Sequence, residues 1–330
     1  FSSNTFVQRR CFEMVAKQKV LISAMRHEAK GILSVEMVSA QADDLIPFSA
    51  GGHIDVFLRD GLVRQYSLMN DPKDSNRYQF AVLLENEGRG GSAFVHQSLR
   101  VGDVIEVSHP RNNFEVVDGA TSHVFVAGGI GITPFISMAH HCRHNAIPMK
   151  LYYCARAPET TAFVDHLTPL FGENMLVHYD GGDPSKSINL TELVASEANA
   201  QLYCCGPRGL MTALAEVVDL QGGSLITEDF NPVGAKTNDE ASKDGDFTVE
   251  LLRSGLTVDV GEGQTIIEAL KAVNIDVETS CEAGVCGTCV VDYLEGEPVH
   301  NDVVLMPDEQ ETSVALCVAG CKSKKLVLDL

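Results

Sequence analysis

Three cysteines within nine residues, Cys281-Glu-Ala-Gly-Val-Cys286-Gly-Thr-Cys289, followed at a distance by Cys317, constrain this chain more than any other feature. The C-x4-C-x2-C run with one remote cysteine is the plant-type spacing for a 2Fe-2S cluster. A loop that wraps two iron atoms must bring backbone N–H groups to the sulfurs, and Gly284 and Gly287 leave that approach open. Four thiolates also suit tetrahedral zinc, but zinc knuckles pair C-x2-C units, whereas here one loop meets a single distant cysteine. Cys321 competes for the fourth position. Its neighbours Gly320 and Lys322 read as the end of a turn, while Cys317 lies in the apolar stretch Val314-Ala315-Leu316-Cys317-Val318 and is preferred. Cys11, Cys142, Cys154, Cys204 and Cys321 read as small buried hydrophobes.

A chain of 330 residues is too long for one ordinary core and fits three modules. No stretch is long and apolar enough to span a membrane, and no signal peptide is visible, so a cytoplasmic, reducing setting is expected. The formal charge of -20 argues against nucleic acid, whose phosphates need Lys and Arg. From Lys236 onward, 19 acidic side chains face 7 basic ones, which suits encounter with a basic protein surface as well as plain solubility. Phe1 to Glu13 show no clear periodicity and are set aside from the fold as a remnant of processing.

Between Lys17 and Glu115 short apolar runs alternate with Gly, Asp, Asn and Pro, as in Ile54–Leu58, Tyr78–Leu83 and Val104–Val107, the rhythm of an antiparallel β-barrel. From Ser122 buried strands alternate with helical patterns. His123–Ala127, Lys150–Cys154 and Gln201–Cys204 read as strands of a parallel α/β sheet. Residues 231–246 are polar and rich in turn formers, and read as a linker. Beyond them Phe247–Leu252 and Leu256–Val260 predict a hairpin, and Thr265–Val273 a helix, ahead of the cysteine loop. The expected organisation is a flavin barrel over 14–117, a nicotinamide domain over 118–230 and an α+β (β-grasp) ferredoxin domain over 247–330.

Two segments of the barrel suggest a flavin site. Arg64-Gln65-Tyr66-Ser67-Leu68 ends a strand, with Tyr66 offering a flat face and Ser67 a partner for flavin N5. Gly88-Arg89-Gly90-Gly91-Ser92 then opens a helical pattern whose first N–H groups favour an anion, and Arg64 and Arg89 add charge for a phosphate. Read singly, Tyr66 is an ordinary core aromatic and the glycines an ordinary loop.

Ala127-Gly128-Gly129-Ile130-Gly131-Ile132-Thr133-Pro134 follows a buried strand and opens a helix, with Pro134 suited to its first turn. The glycines let backbone approach a pyrophosphate, although the pattern is not G-x-G-x-x-G. Cys205-Gly206-Pro207 is its counterpart after a later strand, with Cys205 near the nicotinamide. Asp180 and Asp183 follow another strand as candidate ribose acceptors, favouring NADH, while Arg156 keeps NADPH open. No general acid or base is expected, because cofactors would perform the redox steps.

These motifs occur in one order, and the chain from about Lys17 to Leu330 resembles the phthalate dioxygenase reductase family, the reductase components of two-component Rieske oxygenases. That family includes vanillate O-demethylase and carnitine monooxygenase reductases. The resemblance implies FMN at Arg64, Tyr66, Ser67, Gly91 and Ser92, cluster ligation by Cys281, Cys286, Cys289 and Cys317, and an aromatic, Phe230, beside the flavin. It further implies a monomer that takes hydride from NADH and delivers single electrons to a Rieske-type oxygenase. A stand-alone flavin or ferric reductase with a structural metal domain, and a non-enzymatic redox sensor, are the competing functions.

Overall fold

The structure, a computed structural model, describes residues 16–41, 44–59, 62–85, 88, 90–230, 246–277, 279, 282, 284, 287–302, 304–306 and 309–330. The first thirteen residues, Arg89, Cys281, Cys286 and all but the last residue of the expected linker lie outside these.

The first module contains β1 (Lys17–Ala29), β2 (Ile32–Ser39), β3 (His53–Phe57), β4 (Val63–Ser67), β5 (Tyr78–Leu83), α1 (Gly91–Gln97) and β6 (Val104–Ser108). They form an antiparallel sheet in the order β4-β3-β6-β1-β2-β5. Every second residue faces inward: Val20 and Ile22, Val35 and Met37, Ile54 and Val56, and Phe80 and Val82 all belong to one buried cluster. The edge strands meet where Met69 N–H donates to the Gln79 carbonyl at 2.8 Å and the Tyr66 ring stacks on Phe80 at 4.6 Å. Those contacts curl the sheet into the expected barrel.

The second module is built from β7 (His123–Gly128), α2 (Thr133–His144), β8 (Met149–Ala155), α3 (Val164–Phe171), β9 (Met175–Tyr179), α4 (Leu190–Ser196), β10 (Gln201–Cys205), α5 (Arg208–Gln221) and β11 (Leu225–Glu228). The sheet is parallel, in the order β11-β10-β7-β8-β9. The central strand β7 is buried along its whole length, which is why it reads as a continuous apolar run rather than an alternation. Strand order reverses at β7, so the carboxyl ends of β7 and β10 flank the crevice where such sheets bind ligands.

Barrel and sheet share a core. Phe114 lies 5.7 Å from both Phe135 and Tyr203, Val117 N–H donates to the Tyr203 hydroxyl at 2.8 Å, and Gly51 N–H donates to Ser137 Oγ at 3.1 Å. Full burial of a side chain such as Phe114 is worth roughly 1.5–3 kcal/mol, so the two modules are held at fixed distance by more than a tether.

The third module comprises β12 (Phe247–Leu251), β13 (Leu256–Val260), α6 (Ile266–Ala272), β14 (Val290–Glu295), β15 (Pro298–Val299), β16 (Ser313–Ala315), β17 (Gly320–Cys321) and β18 (Lys325–Leu328). Its main sheet runs β13-β12-β18-β14-β16, with β12 and β18 parallel. Thr265 and Glu268 form a reciprocal capping box that fixes the start of α6, and Ile266, Ile267, Ala269 and Leu270 turn into the core. That core draws only on residues 247–330. The apolar stretch around Cys317 is strand only through Ala315; Cys317 itself stands in the turn that follows.

Candidate functional site

Residues from two modules meet at the mouth of the β7/β10 crevice. Ser67, the last residue of β4, donates its hydroxyl towards Glu228 Oε2 at 3.4 Å, and Glu228, the last residue of β11, pairs in register with Cys205 at the end of β10. Part of the Glu228 residue reaches solvent, but its carboxylate end is enclosed by protein. Desolvation there pushes its pKa up to about 8, with the Ser67 hydrogen bond pulling slightly the other way. Burial also pushes the Cys205 thiol well above its ordinary range, and Glu228 adds to the effect, so Cys205 is a neutral thiol. Sequence reasoning passed over Glu228. The signal was an acidic residue closing the final strand of a buried parallel sheet.

An acid with a raised pKa has a definite signature. Glu228 keeps its proton in the fold between its ordinary 4.5 and about 8, whereas the unfolded chain gives it up. Its contribution is therefore complete below pH 4.5 and is lost as pH rises towards 8. Glu228→Gln removes that loss. Chemical denaturation at pH 5.5 and 8.5 should show the wild type losing on the order of 2 kcal/mol relative to the variant across this interval, after discounting for solvent screening. Parallel pH profiles would contradict the burial of this carboxylate.

The two glycine-rich loops of the crevice press directly on each other. A Cβ at Gly131 would stand 2.3 Å from the Cys205 carbonyl oxygen, one at Gly128 would stand 2.5 Å from Pro207 Cδ, and one at Gly206 would stand 2.8 Å from Gly128 N and Cα. These glycines are demanded first by the packing of one loop on the other. Gly129, with φ of 55°, has open space around it and is the one free to take a ligand against its backbone. Residues 129–132 form a single 3-10 turn leading into α2, where Thr133 Oγ1 donates to the Ile130 carbonyl at 3.2 Å and Pro134 occupies the first turn.

At the flavin segments, the Arg64 side chain lies across the start of α1, and a Cβ at Gly91 would come within 2.5 Å of its Cγ. Gly90, with φ of 82°, precedes the helix and opens its N-terminus beside this guanidinium. Ser92 Oγ accepts from Glu85 N–H at 3.0 Å and anchors the loop on which the helix begins. His96 bonds to the Val82 carbonyl at 3.0 Å, which gives it a structural task in tying α1 to β5. One face of Tyr66 rests on Phe80, and burial pushes its phenol up to about 12, so it serves as a neutral ring. Leu68 is fully buried in the barrel core. Phe230 is the opposite case, an aromatic left 44% exposed just past Glu228.

Asp180 and Asp183 are turned onto their own loop. Asp180 Oδ1 accepts from Gly182 N–H at 2.7 Å, and Asp183 Oδ1 accepts from Ser185 N–H at 3.0 Å. A Cβ at Gly182 would lie 3.8 Å from Arg156 Cδ, so the acid and base weighed for nucleotide recognition stand on adjoining loops.

In the third module the fold brings Cys289 and the Cys317 turn together, through a bond from Leu316 N–H to the Cys289 carbonyl at 3.2 Å. Both cysteines are buried. Gly284 adopts φ of 73° and is pressed so closely that a Cβ would meet Val318 Cγ2 at 2.8 Å and Asp302 Cα at 3.0 Å. Two buried cysteines on adjoining turns, with a glycine pressed against the residue after Cys317, fit a wrapped cluster. Cys321 is engaged elsewhere, in β17 opposite Pro298 and 3.1 Å from Ser323 Oγ.

Comparison with known proteins agrees module by module. A family described as an oxidoreductase FAD-binding domain matches residues 28–116, an oxidoreductase NAD-binding domain matches 125–216, and a 2Fe-2S iron-sulfur cluster binding domain matches 249–322. The chain is 40% identical over 316 residues to phthalate dioxygenase reductase of Burkholderia cepacia, covering 94% of this chain and 97% of that protein. It is 39% identical over 319 residues to a vanillate O-demethylase oxidoreductase of a Pseudomonas species, covering 94% and 99%. Among solved structures, phthalate dioxygenase reductase superposes with a TM-score of 0.76 at 39% identity, over 95% of this chain and 98% of that one. An intact type IV self-sufficient cytochrome P450 monooxygenase superposes with a TM-score of 0.78 at 36% identity, but the match takes in only 43% of that longer chain.

Proposed function

The chain belongs to the phthalate dioxygenase reductase family, and from that premise we propose that it oxidises NADH at an FMN site and delivers single electrons through its 2Fe-2S module to a Rieske-type oxygenase. It is an NAD(P)H-dependent electron-transfer oxidoreductase with flavin, nicotinamide and 2Fe-2S modules. The observation that carries the reading is the convergence of Ser67 from the barrel with Cys205 and Glu228 from the nucleotide sheet. Only a reaction between groups held by the two modules needs such a junction.

Bound flavin would supply the exchange between a two-electron donor and one-electron acceptors. The chain's own residues do the rest. Tyr66 offers its free face as a platform, and Arg64 beside the start of α1 supplies charge for a terminal phosphate, which favours FMN. Gly90, Gly91 and Ser92 open that helix, and Arg89 belongs to the same loop. Gly128, Gly129, Gly131, Thr133 and Pro134 take the nucleotide from one side of the crevice, with Cys205, Gly206 and Pro207 facing them and Asp180 near the ribose. Exposed Phe230 would stand beside the flavin. Cys281, Cys286, Cys289 and Cys317 hold the cluster. The modules divide at 14–117, 118–230 and 247–330, with 231–246 as linker, and the protein works as a monomer. No helix among the described residues is long and apolar enough to cross a membrane.

Acid-released cofactor should be stoichiometric FMN; recovery of FAD defeats the phosphate assignment. Stopped-flow mixing with NADH and a limiting oxygenase tests the rest. Rising salt should slow oxygenase reduction while flavin bleaching stays constant, because the Debye length contracts from about 10 Å at 0.1 M to about 3 Å at 1 M and the hydride step occurs within a bound complex. An intermolecular rate that ignores salt would leave the acidic excess of the last module as ordinary surface.

A further inference from the structure

Asn301, Asp302 and Val304 pack against Gly284, Gly287 and the Cys317 turn. Asp302 Cα would lie 3.0 Å from a Cβ at Gly284, Val304 Cγ2 would lie 3.3 Å from one at Gly287, and Asn301 Nδ2 donates to the Val318 carbonyl, next to Cys317, at 2.9 Å. Within this clamp sits a carboxylate with no exposed side-chain surface. Asp302 Oδ1 accepts from Leu305 N–H at 2.9 Å, but Oδ2 has no hydrogen-bond partner among the described residues. Beside it stands the His300 imidazole, whose Nδ1 is 3.7 Å away, too far for a hydrogen bond, and is itself buried and without a hydrogen-bond partner among the described residues.

Leaving two polar atoms unpaired side by side in a core costs stability, on general grounds, unless something else requires them. Structural demand accounts for Oδ1 alone, since holding Leu305 N–H needs one acceptor, which an asparagine would supply equally. The second oxygen belongs to a residue packed against Gly284 of the cysteine loop, and the imidazole lies beside that oxygen. A negative charge in a low-dielectric setting disfavours adding an electron to a nearby centre, and cluster potentials respond to local charge and solvent exposure.

We propose that Asp302, with His300 as its partial counterweight, sets the reduction potential of the 2Fe-2S cluster, holding it lower than the cysteine cage alone would. This is a positioning and tuning role, distinct from ligation. It rests on the cluster assignment made above, and the two stand or fall by different measurements: iron and sulfide content of the wild type tests the cluster, and potentials of the variants test Asp302.

The experiment is an EPR-monitored redox titration of the full-length holoprotein carrying Asp302→Asn, a swap that keeps the acceptor for Leu305 N–H. With iron content and the reduced-cluster signal unchanged, the one-electron reduction equilibrium should shift about tenfold towards the reduced form, a rise of 59 mV. His300→Lys, which places a fixed positive charge beside the carboxylate, should raise the potential as well, and it decides the matter if Asp302→Asn assembles no cluster. A reduction equilibrium within about twofold of wild type in a cluster-bearing variant overturns the proposal. Failure of both variants to hold a cluster overturns it too, in favour of a packing role.

Discussion

Cys317→Ser should abolish most of the visible cluster absorbance while NADH still bleaches the flavin. Cys317 is buried in the turn after β16, and the bond from Leu316 N–H to the Cys289 carbonyl places that turn against the main cysteine loop. A serine oxygen is a much poorer ligand for iron than thiolate, and cluster binding is coupled to closure of the surrounding loop. Iron and sulfide should fall to a small fraction of the wild-type content, and transfer to a one-electron acceptor such as cytochrome c should drop with them. Cys321→Ser is the control, because Cys321 sits in β17 facing Ser323 and should leave the cluster intact. Undiminished iron in the Cys317 variant, or loss of iron in the Cys321 variant, would reverse the assignment of the fourth ligand.

Gly131→Ala should nearly silence flavin reduction by NADH without touching the cluster module. The new methyl would stand 2.3 Å from the carbonyl oxygen of Cys205, 2.5 Å from its carbonyl carbon and 2.7 Å from Gly206 N, all backbone atoms that cannot swing aside. The loops must part, and overpacking of this kind costs on the order of 1–3 kcal/mol or more. Misplacing a reacting pair by about 1 Å costs on the order of a hundredfold in rate, so the flavin-bleaching rate should fall at least that far. Flavin content and dithionite reduction of the cluster should be unchanged. Gly209→Ala, in α5 with open space around the added methyl, should leave the loop packing undisturbed. A Gly131 variant with normal bleaching would show that the two loops tolerate separation.

Much of this arrangement was legible in the sequence because its causes are local. The alternation in Tyr78–Leu83 matched β5 residue for residue, and the helical pattern over Thr265–Val273 matched α6 and its two caps, since a helix start is settled within one turn. The C-x4-C-x2-C run was legible because a cluster imposes its own spacing; Cys281 and Cys286 lie outside the described residues. What escaped is what depends on distant partners. Glu228 drew no reading from the sequence, because its partner Ser67 stands 161 positions earlier in the chain. The glycines of 128–131 were read for a ligand, whereas Gly128 and Gly131 answer first to a loop more than 70 residues away, a contact no local pattern announces. Cys317 was read only as lying in an apolar stretch, because hydrophobicity does not say where a strand gives way to a turn.

The topology of the ferredoxin sheet also dictates an order of assembly. Strand β18 lies between β12 and β14, so residues 325–328 complete the middle of a sheet whose other strands all precede them in the chain. During synthesis the barrel and nucleotide sheet can close while the ribosome is still translating the cysteine loop, but the walls around that loop cannot. Metal loading therefore belongs after translation has passed Leu328. A chain lacking residues 325–328 would keep every strand of the barrel and of the nucleotide sheet while its cluster module lost the strand that joins β12 to β14.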